Sequence, residues 1–482
     1  LESENIDFKT DTRITDEDRK VLTNDCDNDD LGIGAGRGVG TCAEELAFFL
    51  ANYDQSPLNG MQTFNTHVIG GFFDETSTDP VTVRTLKYMK DIAKYGNGDY
   101  ASANNKKELI DAFQGAVANV SDNPVTFVAP AVSVNSYNSL EHLDNLYYAM
   151  FSPSAENNWK GNLKSYRLSP DGKVVDALGD PAIDFSSGLF KSTSRSYWTP
   201  EGTTDGDSVI KGGAARNLLK DNNIFTHLTR KEGPLTTTIT NSLDKSLFSL
   251  DPNLSITDQA EIIDWLNRRN PDGSSRQQME DPLHSRPIVV NYGYTEDPTT
   301  KRIIPKGVVF VGTNSGYLHA FKADKEEFKE YFSFVPKELL KNANLYRTAD
   351  KDQPKAYGVD GPINYWHVDA NQNLQVDNGE KVYLFFGLRR GGRHYYALDI
   401  TDPVKPKFQW QISGGQGGAF EKLGQSWSQV SLVKVRWGNA GKTKVVLLVG
   451  GGYDPDEDNR TTRASHSMGN SIYMIDPVTG KL

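Results

Sequence analysis

Hydrophobic and polar positions divide this chain into two textures. Up to about residue 120, short apolar runs alternate with apolar residues at helical spacing. Thr66–Phe73 (THVIGGFF) reads as a buried strand, and Leu86, Met89, Ile92 and Ala93 then mark one face of a helix. Gly96-Asn97-Gly98-Asp99 turns the chain into a short strand, Tyr100–Ala103, and Leu109, Phe113, Val117 and Val120 mark a second helix. An earlier helix, Cys42–Asn52, directs Leu46, Phe49 and Leu50 inward. Strand–helix–strand–helix implies a parallel sheet in an α/β portion, assigned to residues 1–125.

From 126 to 482 strands dominate, separated by turns rich in Gly, Asp, Asn and Pro. Three segments repeat one grammar: an apolar strand ending in Gly, a polar loop, then an aromatic-rich strand ending at a turn. They are Gly307–Gly312 leading to Gly316–Phe321, Lys381–Gly387 leading to Arg393–Asp399, and Lys444–Gly450 leading to Asn470–Asp476. A degenerate earlier unit runs from Asn145–Phe151 to Trp159–Leu168. A repeat of roughly 60 to 75 residues is longer than a WD40 blade and suits propeller blades with long inserted loops. Helices are expected as insertions at Ala214–Lys220 and Asp258–Asn267. The last residues, Pro477–Leu482, fall where a blade would begin its next strand, so the sequence is expected to be cut inside a repeat.

The most regular polar pattern is Asp369–Glu380 (DANQNLQVDNGE), in which side-chain oxygens recur at every second position. An EF-hand loop takes ligands from positions 1, 3, 5, 9 and 12 and a carbonyl from position 7. Here those positions are Asp369, Asn371, Asn373, Asp377 and Glu380, with the Gln375 carbonyl at 7. Position 6 departs from the pattern, being Leu374 instead of Gly. The flanks Tyr365–Val368 and Lys381–Phe386 read as strands, not helices. An ordinary polar hairpin loop is the alternative; alternation sustained over five positions favours Ca2+. Three weaker candidates follow. Asp74-Glu75-Thr76-Ser77-Thr78 has hydroxyls at cation-binding offsets, although Asp, Ser and Thr are also turn residues. Asp25–Asp30 and Asp454–Asp458 alternate carboxylates, the second interrupted by Pro455 and lacking later ligands.

Composition narrows the function classes. With 52 Lys and Arg against 63 Asp and Glu, the net charge is −11, which argues against a nucleic-acid partner and suits contact with divalent cations. No apolar run approaches the roughly 18 residues of a membrane span. The chain opens with the polar Leu1–Asn5, so no signal peptide is visible, though a processed or excised fragment opens the same way. The two cysteines, Cys26 and Cys42, flank the glycine-rich Gly34–Gly40 and suit one disulfide in an oxidising compartment, with two unconnected thiols as the alternative. That glycine run lacks the preceding strand of a dinucleotide loop. Eight scattered histidines, no Gly-x-Ser-x-Gly elbow and no P-loop leave catalysis without a visible centre.

Several segments together resemble the PilY/PilC family of type IV pilus tip-associated proteins. They are Asn158–Leu168, Ile262–Arg268, Asp281–Pro287, Phe310–Phe321, Tyr395–Pro403 and Gly450–Asp454, met in the family's order. The resemblance implies a β-propeller over residues 126–482 carrying a calcium loop, which Asp369, Asn371, Asn373, Gln375 and Asp377 match position by position. Glu380 is outside that match. It also implies that Thr66–Val120 is the last part of a von Willebrand factor A-like domain, whose Asp-x-Ser-x-Ser metal motif is not visible here. The implied role is pilus assembly, opposition to retraction, adhesion and twitching motility, on a secreted or surface-displayed protein of the fimbrium and outer membrane. The implied partners are pilus subunits or minor pilins. Two rival readings are a quinoprotein dehydrogenase, also a calcium-holding propeller, and an adhesin engaging a host-surface ligand through the α/β domain. The absence of adjacent cysteines in the propeller speaks against the first.

Overall fold

The computed structural model describes residues 41–53, 63–71, 74–105, 108–109, 112–113, 127–132, 145–184, 188–248, 255–296, 298–299, 301, 303–324, 327–348, 350–415, 417–438, 442–459 and 465–482. The chain divides into two units, with the main boundary between Pro124 and Val125.

In the first unit, α1 (Thr41–Asn52) is followed by β1 (Val68–Gly71), α2 (Pro80–Tyr95) and β2 (Tyr100–Ala103). β1 and β2 pair in parallel from Val68↔Tyr100 to Gly71↔Ala103, as the alternation predicts. α2 starts where its sequence says it should: Pro80 opens the first turn, and Asp79 accepts the Thr82 N–H at 2.9 Å. Leu86 and Ala93 are buried beneath it. The inward face of α1 differs from expectation. Phe49 is buried as expected and Leu50 is half-buried, but Leu46 is 42% exposed, and Tyr53 joins Phe49 instead, their rings stacked one turn apart at 5.2 Å. Most of the second predicted helix lies outside the described residues, and its members Leu109 and Phe113 are exposed.

The second unit is mainly β. Its strands in chain order are β3 (Phe127–Val132), β4 (Asn145–Ser152), β5 (Lys160–Leu168), β6 (Val174–Val175), β7 (Ile224–Thr226), β8 (Gly233–Pro234), β9 (Thr237–Thr238) and β10 (Met279–Glu280). β11 (Ile288–Glu296), β12 (Ile303–Gly312), β13 (Leu318–Lys322) and β14 (Glu330–Phe334) follow. The remainder are β15 (Ile363–Val368), β16 (Lys381–Gly387), β17 (His394–Asp399), β18 (Lys407–Ser413), β19 (Ser431–Trp437), β20 (Lys442–Gly450) and β21 (Ile472–Ile475). They form four sheets in succession: β10-β5-β4-β3 with β6, then β11-β12-β13-β14, β15-β16-β17-β18 and β19-β20-β21.

Period-two side-chain alternation explains how these sheets stack. Along β12, Val308 and Phe310 join a core shared with β15–β18, while Val309 and Val311 join Tyr147, Ala149 and Leu163 of β4 and β5. Along β16, Val382, Leu384 and Phe386 face the β11–β14 sheet, while Tyr383 and Phe385 face Leu447 and Val449 of β20. Central sheets are thus apolar on both faces, which is why their strands read as continuous hydrophobic runs. Burying each such side chain stabilises the stack by roughly 1.5–3 kcal/mol.

Two insertions show departures from an all-antiparallel plan. β7 adds to the outer strand β14 in parallel, with Ile224 opposite Ser333, and β9 pairs with β7. A few residues on, β8 adds antiparallel to β18, with Pro234 opposite Lys407. Residues 224–238 therefore strap the outer edges of two neighbouring sheets, satisfying strand edges that would otherwise be open. The helix predicted at Ala214–Lys220 is shorter, α3 (Gly213–Asn217). The second, α4 (Ile256–Leu266), opens with a full capping box between Ser255 and Asp258 and sinks Ile262, Ile263 and Leu266 into the core.

Candidate metal centre

The predicted calcium loop is the connection of a β-hairpin. β15 and β16 run antiparallel up to Val368↔Lys381, so the first and last loop residues, Asp369 and Glu380, are held beside each other by the ladder. Within the loop the predicted ligands converge. Asn371 and Asn373 both point Nδ2 at the same oxygen, Asp377 Oδ2, each at 2.8 Å. Asp369 reaches in from the other end, accepting the Asn373 N–H at 3.2 Å and the Leu374 N–H at 2.8 Å. Each Asn oxygen accepts a main-chain N–H, Asn371 Oδ1 from Asn373 at 3.1 Å and Asn373 Oδ1 from Gln375 at 2.8 Å, so the loop gathers two carboxylates and two side-chain amides within one turn. That donor set fits a hard cation.

The non-glycine at position 6 has a structural resolution. Leu374 adopts φ +60°, the left-handed conformation that Gly supplies in an EF-hand loop, and Gln372 does the same at φ +60°. The turn is made, against the steric preference of an L-residue.

Glu380 occupies the last EF-hand position but faces elsewhere. One oxygen accepts the Ala370 N–H at 2.8 Å; the other accepts the Asp377 N–H at 3.1 Å and meets His367 Nε2 at 3.0 Å. These bonds, led by the Asp377 and Ala370 amides, hold its pKa below the usual carboxylate value. Glu380 therefore closes the loop from behind, as a positioning residue.

The loop also leans on the neighbouring sheet. β11 carries a bulge between Asn291 and Tyr294. There the Gln375 side chain covers Gly293, which has φ +108° and where an added Cβ would lie 3.0 Å from Gln375 Cγ. The Val376 N–H bonds the Tyr292 carbonyl at 3.4 Å, and Val376 packs against the shared core.

Other candidates fare differently. Asp74 accepts the N–H and hydroxyl of Thr76 at 2.9 and 2.7 Å, the geometry of a turn. Asp25–Asp30, Gly34–Gly40, Cys26 and the Cys42 side chain lie outside the described residues. The motif Asp281–Pro287 has a structural role that spacing did not reveal. Buried Asp281 takes Lys355 at 2.6 Å and Asn314 at 2.6 Å; Asn314 also reaches buried Asp360 at 3.1 Å, and Asp360 meets His284 at 2.7 Å. Burial pushes the Asp281 carboxyl up despite Lys355. This network pins the turn between β12 and β13 to the segment leading into β15.

Successive antiparallel sheets packed face to face define a propeller-type domain. The comparisons agree: residues 285–466 match the family model for the PilY1 beta-propeller domain. The chain is 25% identical over 393 residues to the type IV pilus biogenesis factor PilY1 of Pseudomonas aeruginosa strain UCBPP-PA14, covering 75% of this chain and 30% of that protein. It is 34% identical over 119 residues to a PilY1 homolog of Xylella fastidiosa, covering 24% of this chain and 9% of that protein. A structural similarity to the Pseudomonas aeruginosa PilY1 C-terminal domain covers 37% of this chain and 29% of that one, at 26% identity and TM-score 0.24. These matches support kinship with the PilY1/PilC family, carried by the second unit. The chain spans about 30% of the length of the Pseudomonas relatives it matches. Among the described residues, no helix is long and apolar enough to cross a membrane.

Proposed function

We propose that this chain is the propeller-bearing part of a type IV pilus biogenesis factor, and that Ca2+ bound by Asp369, Asn371, Asn373, the Gln375 carbonyl and Asp377 controls its working surface. The observation that carries this is the convergence of Asn371 and Asn373 on Asp377 in a hairpin loop, within the segment matched by the family model. Two nearby carboxylates repel until a divalent cation neutralises them. Neutral Asn ligands suit the modest affinity, about 10⁻⁴–10⁻³ M, of extracellular calcium modules. Binding would set the loop that rests on the β11 bulge and so alter what the neighbouring sheet presents to pilus subunits. The work is assembly, opposition to retraction and adhesion, not turnover, at the cell surface or pilus. The first unit, with its parallel β1–β2 pair, fits the end of a von Willebrand factor A-like domain.

The test is a strain lacking this protein. Surface pili and twitching should fall, and pili should return when retraction is also disabled; complementation with Asp369→Ala should fail at low calcium buffering. Normal piliation in the deletion strain would remove the reading.

A further inference from the structure

We propose that the turn between β16 and β17 carries an anion-binding site, centred on Arg389, for a carboxylate presented by an acidic peptide segment of a protein partner. The turn reads Leu388-Arg389-Arg390-Gly391-Gly392 and is held from two sides. The Leu388 and Arg389 N–H groups both donate to Ser426 Oγ, at 2.8 and 3.2 Å, which sets Trp427 beside the turn. On the other side a Cβ on Gly391 would strike the Gly358 carbonyl oxygen, so the two backbones touch and Tyr357 is brought in. Residues that lead into β15 and into β19 thereby meet at one turn.

Arg389 is the unusual member. It has φ +50°, a left-handed backbone that an L-residue adopts against its steric preference, although glycines stand two and three positions on in the same turn. Its guanidinium lies over the Trp427 ring at 4.5 Å. Among the described residues none of its five side-chain N–H donors has an acceptor, and Nε is shut off from water as well. The surrounding carboxylates are all taken. Asp281 holds Lys355 and Asn314, Asp360 holds His284, and Asp458 of the alternating run at 454–458 holds Arg390 at 2.8 Å. Burial and Asp360 push the Tyr357 phenol up while Arg390 and Arg389 oppose them, as near neighbours of the ring. One uncompensated cation is left in the cluster, and it is Arg389.

Covering Trp427 does not explain Arg389, because Arg390 already lies 5.3 Å from the same ring and Tyr453 stacks on it at 4.9 Å. A guanidinium with its donors open is a planar fork that matches a carboxylate, and partial burial beside an aromatic ring strengthens such a pair. Arg, Trp and Tyr are also the side chains that most often anchor protein interfaces. The same stacking argues against a saccharide, which needs a free ring face: Trp427 is taken by Tyr453 and Arg389, and Trp159 by Lys355 at 4.2 Å. The net charge of −11 argues against a nucleic acid.

This site does not depend on the calcium reading, and the test keeps them apart. Fluorescence polarisation of labelled hexaglutamate on the full chain reads the binding, without divalent cations, which the peptide would itself chelate. At about 0.15 M salt, screening over about 8 Å keeps the chain's overall negative charge out of the measurement. Affinity should fall at least about tenfold in Arg389→Gly, which suits the φ of +50°, and about threefold in Arg389→Lys, which keeps the charge and loses the fork. It should be unchanged in Asp369→Ala and in Lys434→Ala, which removes an exposed cation of β19. A thermal melt verifies that each variant is folded. Absence of binding by the wild type, or wild-type affinity in both Arg389→Gly and Arg389→Lys, overturns the site. Binding of labelled oligogalacturonate in place of the peptide also overturns it, because the ligand would then be an acidic saccharide.

Discussion

At the scale of single residues, the hairpin loop separates the proposed calcium ligands from their supports. Asp369→Ala and Asp377→Ala each remove a carboxylate from the converging set and should weaken calcium binding by tenfold or more in calorimetry, with the fold retained. Gln375→Ala keeps its carbonyl but exposes Gly293, so a small loss is expected, well below that of the carboxylate variants. Leu374→Gly gives the sharper contrast. If Leu374 resists its φ of +60°, glycine relieves roughly 1 kcal/mol of left-handed strain, and calcium should bind several-fold tighter. Unchanged or weaker binding would mean that Leu374 contributes more through packing than it costs in conformation. Magnesium should substitute poorly in every variant, because it keeps its waters and demands a tighter octahedral shell.

At the scale of elements, much of the architecture was legible in the sequence. The strand pairs Gly307–Phe321, Lys381–Asp399 and Lys444–Asp476 stood out because residues buried on both faces leave unbroken apolar runs. The loop stood out because its side-chain oxygens recur at every second position. Neither signal reaches the strap at residues 224–238, whose strands are two or three residues long and exist only because neighbouring edges need partners. Nor could spacing reveal Arg389 beside Tyr357, since that proximity is made by glycines. The same holds for the buried cluster where α4 ends. Arg268, with φ +57°, meets Glu330 at 2.5 and 2.9 Å and Ser333 at 2.6 Å, while His319 lies 3.0 Å from Glu330. Burial favours a neutral Glu330, but the Arg268 charge and the bonds from His319 and Arg268 outweigh it and bring its pKa to about 2. Burial also lowers His319. Both folded values lie below their unfolded ones, so both groups stabilise the fold at neutral pH and cease to do so as acid is added. The loss begins below the ordinary histidine pKa of about 6.5 and deepens below the ordinary carboxylate value of about 4.3. Urea unfolding between pH 7 and pH 4 should show falling stability. Arg268→Ala, which strands a buried carboxylate, should cost about 3–5 kcal/mol at pH 7. A cost under about 1 kcal/mol would mean that water replaces the guanidinium.

At the scale of the second unit as a whole, the proposed calcium loop belongs to one sheet and rests on the next. The proposed ligands lie between β15 and β16, while Gln375 and Val376 contact the bulge of β11. A cation that fixes the loop should therefore stiffen the junction between two sheets as well as the loop. At a free concentration a hundredfold above its dissociation constant, calcium should stabilise the folded chain by about 2.7 kcal/mol. The melting temperature should rise accordingly with calcium and stay unchanged in Asp369→Ala. Hydrogen exchange locates where that energy is felt. With calcium, amides of residues 369–380 should exchange more slowly, and so should those of Ile288–Glu296, which carry no ligand. Gly293→Ala gives the control. Its Cβ would push on the Gln375 side chain and its φ of +108° suits glycine alone, so the bulge and the loop should part while the ligands remain. In that variant calcium should still protect residues 369–380, and the protection of β11 should be lost. Protection confined to the loop in the wild type would show that calcium stabilises a hairpin tip without reaching the neighbouring sheet, and the proposed control of the propeller surface by calcium would have no physical route.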